Sequence, residues 1–146
     1  MLFARKARRL KRILIVEDEP LVAFDNEHFL TEAGYQVVAT VDSIAAAREV
    51  IDAGTALDLV LVDVGLSDGS GVDVARAAHA ADTPVLFVTG QCPDEAKRLG
   101  VGCLAKPYSS RELRAALGAI DALLAGGSIG RTPPGLTLYG GPAPAA

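Results

Sequence analysis

Short aliphatic runs alternate with longer amphipathic segments along most of the chain. Each run has four to six residues and the aliphatic, β-branched character of a strand that is buried on both faces. The five predicted strands cover residues 13–16, 36–41, 57–62, 85–89 and 101–104.

Five helical segments follow these strands in turn, and capping residues mark most of their ends. Proline is favoured in the first turn of a helix, serine at the N-cap and glycine just past the C-terminus. The spacing of Ser109 and Glu112 predicts a capping box at the start of the last helix. The predicted helices run from Pro20 to Gly34, from Ser43 to Gly54, from about Gly71 to Ala80, from Pro93 to near Gly100, and from Ser109 or Ser110 to Gly126-Gly127.

Five strand–helix units in series predict a doubly wound α/β fold. Right-handed crossovers between buried parallel strands place helices on both faces of one sheet. The usual solution for five units is the flavodoxin-like strand order 2-1-3-4-5. In that order the carboxyl ends of strands 1 and 3 lie side by side, and this is where we expect a functional site.

Composition supports this fold class. The chain has 146 residues, of which 50% are hydrophobic but only 5% aromatic, and tryptophan is absent. One domain with an aliphatic core is therefore expected, and no apolar run approaches the roughly 20 residues of a membrane span. Two cysteines, Cys92 and Cys103, are too few for a disulfide framework and match no zinc-site spacing. We expect a reducing, cytoplasmic compartment, with Cys92 as an exposed thiol.

The two ends of the chain differ from its centre. Residues 1–12 contain six basic and no acidic side chains, although the whole chain has a net charge of −4. We expect a basic N-terminal tail over 1–10 and an acidic domain over 11–125, which suits nucleic acid poorly. Residues 126–146 contain six glycines and four prolines and are predicted to form a flexible tail. The alternative for residues 136–139, its only apolar stretch, is docking on the domain or on a partner. Such a tail is too short for a helix-turn-helix, so no DNA-binding domain is expected.

Polar side chains stand at the carboxyl end of four of the five predicted strands. Glu17 and Asp18 follow the first strand, Asp63 follows the third, Thr89 ends the fourth and Lys106 follows the fifth. Three clustered carboxylates repel one another unless a cation lies among them, and carboxylate oxygens suit Mg²⁺. A bound Mg²⁺ beside an aspartate and a lysine makes a site for a phosphoryl group.

This pattern resembles the receiver domains of two-component response regulators over about residues 11–125. The matching segments are ILIVEDEP at 13–20, LVLVDVGL at 59–66 with the later Gly71, VLFVTG at 85–90, and KPY at 106–108. The segment at 85–90 is also similar to the FAT GUY subgroup of receivers.

The resemblance implies a role for each of these residues. Asp63 is the expected phosphoacceptor, with Thr89 as the switch hydroxyl and Lys106 as the phosphoryl-binding lysine. The expected Mg²⁺ ligands are Asp18, Asp63, the carbonyl of Gly65, and Glu17 acting mainly through water. The Lys106–Pro107 peptide bond is expected to be cis.

Two positions depart from the family pattern. Receivers usually carry an aromatic residue three positions before the lysine, where this chain has Cys103. They often carry proline four residues after the phosphoacceptor, where this chain has Ser67. The usual coupling between the threonine and an aromatic residue is therefore in doubt here.

The resemblance implies a stand-alone receiver in bacterial signalling that is not an enzyme. A histidine kinase or phosphotransfer protein would donate a phosphoryl group to Asp63, and the modified domain would bind an unidentified downstream protein. Homodimer formation is left open. A pseudo-receiver, which uses the fold as an interaction module without phosphorylation, is the main alternative. A hydrolase with an aspartate nucleophile and a nucleotide-binding flavodoxin-like protein fit the motifs less well.

Overall fold

The computed structural model describes residues 10–127 and 129–139. Predictions for residues 1–9, 128 and 140–146 lie outside the described residues. These include most of the predicted basic N-terminal tail and the last third of the predicted C-terminal tail. The described elements, in chain order, are β1 (Arg12–Val16), α1 (Pro20–Glu32), β2 (Gln36–Val41), α2 (Ile44–Asp52), β3 (Leu59–Asp63), β4 (Gly65–Leu66), β5 (Gly69–Ser70), α3 (Gly71–Ala80), β6 (Val85–Thr89), α4 (Ala96–Leu99), β7 (Gly102–Ala105), α5 (Ser110–Leu124) and β8 (Leu136–Leu138).

The central sheet has six strands in the order β2-β1-β3-β6-β7-β8. The first five are parallel to one another, whereas β8 runs antiparallel to β7. The prediction of a five-stranded, wholly parallel sheet is therefore wrong in its strand count. The flavodoxin-like α/β architecture remains, and β3 lies between β1 and β6 at the centre of the sheet.

Two apolar cores lie on opposite faces of the sheet because neighbouring side chains of a strand point to opposite sides. Ile13 and Ile15 of β1 belong to the core covered by α1 and α5, whose buried residues include Leu30, Leu113 and Leu117. Leu14 and Val16 of the same strand belong to the core covered by α2, α3 and α4, with Ile51, Val74 and Ala96. Strands β1, β3, β6 and β7 are buried on both faces, as predicted. For β2 that prediction is wrong, because this strand lies at the edge of the sheet and is only partly buried.

The helix starts follow the capping residues. Pro20 begins α1, and the side chain of Ser43 accepts a hydrogen bond from the Ala46 N–H at the start of α2. The capping box of Ser109 and Glu112 is confirmed: the Ser109 hydroxyl accepts from the Glu112 N–H, and the Glu112 carboxylate accepts from the Ser109 N–H. The predicted cis bond between Lys106 and Pro107 is also confirmed.

Helix α4 is much shorter than predicted. It covers only Ala96–Leu99, whereas the prediction began at Pro93. The Ala96 N–H donates to the carbonyl of Pro93 at 3.0 Å, so the segment begins as a 3₁₀-type turn rather than as an α-helix.

Strand β8 lies in the segment that was predicted to be a flexible tail. Residues 136–138 pair with residues 102–104 of β7, and the Tyr139 N–H donates to the Val101 carbonyl at 3.0 Å. Leu136 is buried in the same core as Leu104. The prediction of a tail without ordered structure is therefore wrong for these three residues, because pairing and apolar burial fix them against the sheet edge.

The two cysteines form a disulfide bond between Cys92 and Cys103, with their Cα atoms 6.3 Å apart. The expectation of a free Cys92 thiol is therefore wrong. The neighbouring strands β6 and β7 hold the loop after Thr89 close to the middle of β7, which brings the two residues within bonding reach.

Among the described residues, no helix combines the length and apolar character that crossing a bilayer requires.

Candidate functional site

The sheet topology brings three carboxylates and one ammonium group to the carboxyl edge of the central strands. Glu17 and Asp18 directly follow β1, Asp63 ends β3, and Lys106 directly follows β7. The strand register aligns Val16 with Val62, so the segments that follow β1 and β3 leave the sheet at the same level. These side chains lie close together at this edge, as the strand order predicted.

Lys106 bridges two of the carboxylates. Its Nζ donates to Oδ2 of Asp63 at 2.9 Å and to Oε1 of Glu17 at 3.1 Å. Both acidic residues are almost fully buried, with 7% of Asp63 and 3% of Glu17 exposed. Buried carboxylates are costly unless they are paired and hydrogen-bonded, so this lysine makes the acidic pair tolerable.

The remaining carboxylate oxygens of this pair accept backbone hydrogen bonds. Oδ1 of Asp63 accepts from the Gly65 N–H at 3.1 Å, and Oε2 of Glu17 accepts from the Glu19 N–H at 3.1 Å. Each carboxylate is thus fixed by one backbone group and by the shared ammonium. This arrangement fixes the orientation of the Asp63 carboxylate.

Burial and neighbouring charges shift the pKa values of Glu17 and Lys106. Burial raises the pKa of Glu17 above its ordinary value, and the negative charge of Asp63 raises it further, against the hydrogen bonds from Glu19 and Lys106. Burial by itself lowers the pKa of Lys106, but the hydrogen bonds and negative charges of Asp63 and Glu17 outweigh it and raise this pKa. The lysine therefore stays charged at every pH at which the protein would work.

Asp18 completes a set of oxygen donors. Carboxylate oxygens of Glu17, Asp18 and Asp63 all lie within 4.8 Å of one another. Three hard oxygen donors at this spacing suit Mg²⁺, which binds one or two carboxylates directly and retains several waters. The donor set therefore fits the metal that the sequence predicted.

Thr89 is placed differently from the other predicted site residues. Its strand, β6, lies beside β3, and its carbonyl accepts from the Lys106 N–H at 2.9 Å. Its hydroxyl, however, donates to the Gln91 carbonyl at 3.1 Å and accepts from the Gln91 N–H at 3.3 Å. The hydroxyl is therefore engaged by the loop after β6 rather than by Asp63 or Lys106.

Two glycines shape the segment after Asp63. Gly65 lies in the two-residue strand β4 and donates its N–H to Asp63. A Cβ atom on Gly71 would lie 2.2 Å from the Asp63 carbonyl oxygen, so only glycine lets α3 begin this close to the end of β3. Gly71 therefore allows α3 to pack directly against the backbone of Asp63.

A cleft of about 460 Å³ lies beside Lys106, between α1 and the start of α5. It is lined by Glu19, Val22, Asp25, Asn26, Lys106, Pro107, Tyr108 and Ser110. At its base Asn26 Nδ2 donates to the Tyr108 hydroxyl at 2.9 Å, and burial raises the pKa of that hydroxyl. Asn26 was not among the site residues predicted from the sequence. The sequence carried no clear signal for it, because α1 lacks a marked apolar face.

A doubly wound sheet with an acidic cluster and a lysine at its carboxyl edge defines a class of phosphoryl-accepting signalling domains. Residues 13–118 match the response regulator receiver domain family, and the chain belongs to this family. Receiver domains are signalling modules rather than enzymes, and they accept a phosphoryl group on an aspartate.

Curated relatives agree with this assignment. The sensory transduction protein RegX3 of Mycobacterium tuberculosis is 35% identical over 114 residues, which is 74% of this chain and 49% of RegX3. The TorCAD operon transcriptional regulatory protein TorR of Escherichia coli is 34% identical over 107 residues, 69% of this chain and 46% of TorR. The chain thus spans about half the length of the curated relatives it matches.

Solved structures show the same fold. A response regulator receiver protein from Sinorhizobium medicae is 33% identical, with a TM-score of 0.65, and the match covers 75% of this chain and 92% of that one. The receiver domain of the sensor histidine kinase PA1611 from Pseudomonas aeruginosa is 26% identical, with a TM-score of 0.64, over 74% of this chain and 94% of that one. That structure has a magnesium ion coordinated in its active-site cleft.

Proposed function

We propose that this domain is a phosphorylation-dependent switch that accepts a phosphoryl group on Asp63 from a histidine kinase or phosphotransfer protein. The observation that carries the proposal is the contact of 2.9 Å between Asp63 Oδ2 and Lys106 Nζ, inside an acidic cluster at the centre of the sheet edge. An aspartate so placed has beside its carboxylate a cation that is ready to pair with incoming phosphoryl oxygens.

Asp63 acts as the nucleophile in this proposal. One of its carboxylate oxygens forms a bond to phosphorus while the bond between phosphorus and the donor's imidazole nitrogen breaks, and the electron pair stays on the imidazole. Lys106 moves from the carboxylate to the phosphoryl oxygens. The Thr89 hydroxyl leaves the Gln91 backbone and donates to another of these oxygens.

The proposed metal site consists of Asp18 and Asp63, with Glu17 acting mainly through water and the carbonyl of Gly65 as a further ligand. Three of these residues carry the oxygen cluster described above, which supports the assignment. Bound Mg²⁺ would offset the negative charge of the acidic side chains and the phosphoryl oxygens. Without a cation, the same charges would oppose the approach of a phosphate group.

The donor is proposed to dock over α1 and the segment that follows β7. Two large apolar side chains of α1 are exposed to solvent, Leu21 at 79% and Phe24 at 66%. They lie on the helix that forms one wall of the cleft beside Lys106. Because they are three residues apart, they lie on the same side of α1, and an exposed apolar patch is typical of a protein contact surface.

The output of the switch is proposed to be a changed affinity for a separate protein, with the domain acting as a stand-alone regulator in the cytoplasm. The segment from Gly90 to Tyr108 would shift when Thr89 and Lys106 move. That segment contains α4 and β7 and leads into α5, so these elements would form the partner surface. The same surface is available for a homodimer.

Asp63→Asn tests the phosphoacceptor directly. The wild-type protein, incubated with Mg²⁺ and a small phosphodonor such as acetyl phosphate, should gain the mass of one phosphoryl group, and the variant should gain none. Asp94→Asn, which changes an exposed acid outside the site, is the matched control and should be labelled like wild type. Full labelling of Asp63→Asn would reject the acceptor, whereas unlabelled wild-type protein would favour the pseudo-receiver alternative.

The docking surface has its own test. Leu21→Ala with Phe24→Ala should slow transfer from a phosphohistidine protein but leave labelling by acetyl phosphate unchanged. Ile129→Ala removes an exposed apolar side chain elsewhere and should affect neither reaction. Equal transfer rates for the double variant and wild type would contradict the proposed surface.

A further inference from the structure

The Cys92–Cys103 disulfide connects two parts of the domain that the proposed switch must move relative to each other. Cys92 lies in the loop between β6 and α4, and Cys103 lies within β7. The loop directly follows Thr89, whose hydroxyl has to turn toward a phosphoryl group on Asp63. The disulfide is therefore attached within three residues of that hydroxyl.

Cys103 is the fixed end of the bond. It is fully buried, and its strand is paired on both sides, with Phe87 of β6 as one neighbour and Thr137 of β8 as the other. Cys92 is exposed and lies outside the helices and strands. Any movement between the two residues must therefore come from the loop that carries Cys92.

The loop in turn holds the Thr89 hydroxyl. Both hydrogen bonds of this hydroxyl go to the backbone of Gln91, one to its carbonyl and one from its N–H. Gln91 is covalently bonded to Cys92. A continuous connection therefore runs from the buried strand β7, through the disulfide and the Gln91 backbone, to the hydroxyl of Thr89.

We propose that this disulfide is a reversible redox lock on the phosphoryl switch. The oxidised form restrains the backbone of Gln91 and so keeps the Thr89 hydroxyl turned away from Asp63. The reduced form frees the loop, so that Thr89 can break its bonds with Gln91 and reach a phosphoryl oxygen. This inference rests on the proposed function, and it adds a second input to the same site.

The chemistry is thiol–disulfide exchange with a cellular dithiol. A thiolate of the dithiol attacks Sγ of Cys92, the sulfur–sulfur bond breaks, and Cys103 leaves as a thiolate that takes up a proton. The second thiol of the reductant then attacks the mixed disulfide and releases Cys92. Two electrons and two protons pass to the protein, and the reductant becomes a disulfide. The reverse exchange with a disulfide oxidant restores the lock.

The lock acts by changing the balance between two positions of the loop. Suppose the constraint favours the unswitched position of the loop by a given factor. The affinity for any ligand that binds only the switched position then falls by the same factor. The oxidised protein should therefore bind a phosphoryl mimic more weakly than the reduced protein. A disulfide with a purely structural role would leave this affinity unchanged.

The test compares Mg²⁺-dependent binding of trifluoroberyllate, a phosphoryl mimic, to the full chain in both redox states. Thiol labelling and mass spectrometry first establish that native protein is oxidised without reductant and reduced by dithiothreitol. Reduction should tighten binding by at least about threefold and speed hydrogen exchange of the backbone amides of Gln91 and Cys92. Cys92→Ser, which changes an exposed position, should behave like the reduced protein with and without dithiothreitol.

The outcomes separate this inference from the proposed function. Equal affinities in both redox states, or a disulfide that dithiothreitol leaves intact in the folded protein, would overturn the lock alone. Absence of binding in both states and in Cys92→Ser would overturn the proposed switch and the lock together. A redox effect that persists in Cys92→Ser would show that dithiothreitol acts elsewhere and would also reject the lock.

Discussion

The ammonium group of Lys106 lies 2.9 Å from Oδ2 of Asp63, and both residues come from segments that leave the sheet at its carboxyl edge. Because Nζ also reaches Glu17 at 3.1 Å, one positive charge balances two buried negative ones. The site is thus held together by the groups that are proposed to carry its chemistry, and stability and function can be tested with the same variants.

Lys106→Met should destabilise the metal-free protein at neutral pH by about 2 kcal/mol, because it removes hydrogen bonds between charged groups and leaves the carboxylates unpaired. Urea unfolding in the presence of EDTA measures this change. Lys97→Met, at an exposed position of α4, is the control and should stay within about 0.5 kcal/mol of wild type. A Lys106→Met protein as stable as wild type would show that the bridge contributes nothing.

Magnesium should stabilise the wild-type protein against unfolding, because a cation relieves the repulsion among three clustered carboxylates. At a concentration ten times the dissociation constant, the expected gain is about 1.4 kcal/mol. Asp18→Asn should reduce this gain by replacing one of the three carboxylates with a neutral amide, and Asp94→Asn should not. Thermal unfolding over a MgCl₂ titration is the measurement, and an identical response of both variants would argue against the proposed ligand set.

The raised pKa of Glu17 makes a prediction about pH. Because the folded protein holds this proton more tightly than the unfolded chain, it binds more protons from about the ordinary value of 4.5 up to the raised pKa. Stability in metal-free buffer should therefore fall as the pH rises through this window. Glu17→Gln should remove that part of the pH dependence, whereas Glu32→Gln, at an exposed position, should keep it. Urea unfolding at a series of pH values distinguishes them.

Gly102→Ala should loosen β8 from β7. A Cβ atom at this position would lie 2.9 Å from the Thr137 carbonyl oxygen, and such overpacking costs about 1–3 kcal/mol. Hydrogen exchange of the Tyr139 amide, which donates to Val101, should become faster. Gly118→Ala is the matched control, because its Cβ meets open space on α5, and it should stabilise the protein by about 0.5–1 kcal/mol. Unchanged exchange at Tyr139 would mean that β8 tolerates the methyl group.

The site was more predictable from the sequence than its surroundings. Four of the site residues each follow a strongly aliphatic strand, namely Glu17, Asp18, Asp63 and Lys106. The alternation of strands and helices was therefore enough to place them at one edge of the sheet. Strand β8 escaped prediction because three residues between glycine- and proline-rich segments carry too little periodicity. Its formation depends on the exposed edge of β7, a contact far away in sequence.

The disulfide and the orientation of Thr89 escaped prediction for a related reason. Both depend on the path of the loop from Gly90 to Glu95, which has no regular pattern. The available signal was the pairing of the fourth and fifth predicted strands, which brings Cys103 beside the strand that ends just before Cys92. Spacing of 11 residues along the chain does not by itself indicate a bond.

Strand β8 has a consequence for how this domain can be recognised. By pairing with β7, it satisfies the backbone groups that an open sheet border would offer to a foreign strand, and its own three residues provide too short a template for further growth of the sheet. A partner that binds at this edge must therefore contact side chains of the flanking helices. At this edge of the sheet, opposite the edge strand β2, the chain itself blocks the intermolecular strand addition that leads to aggregation.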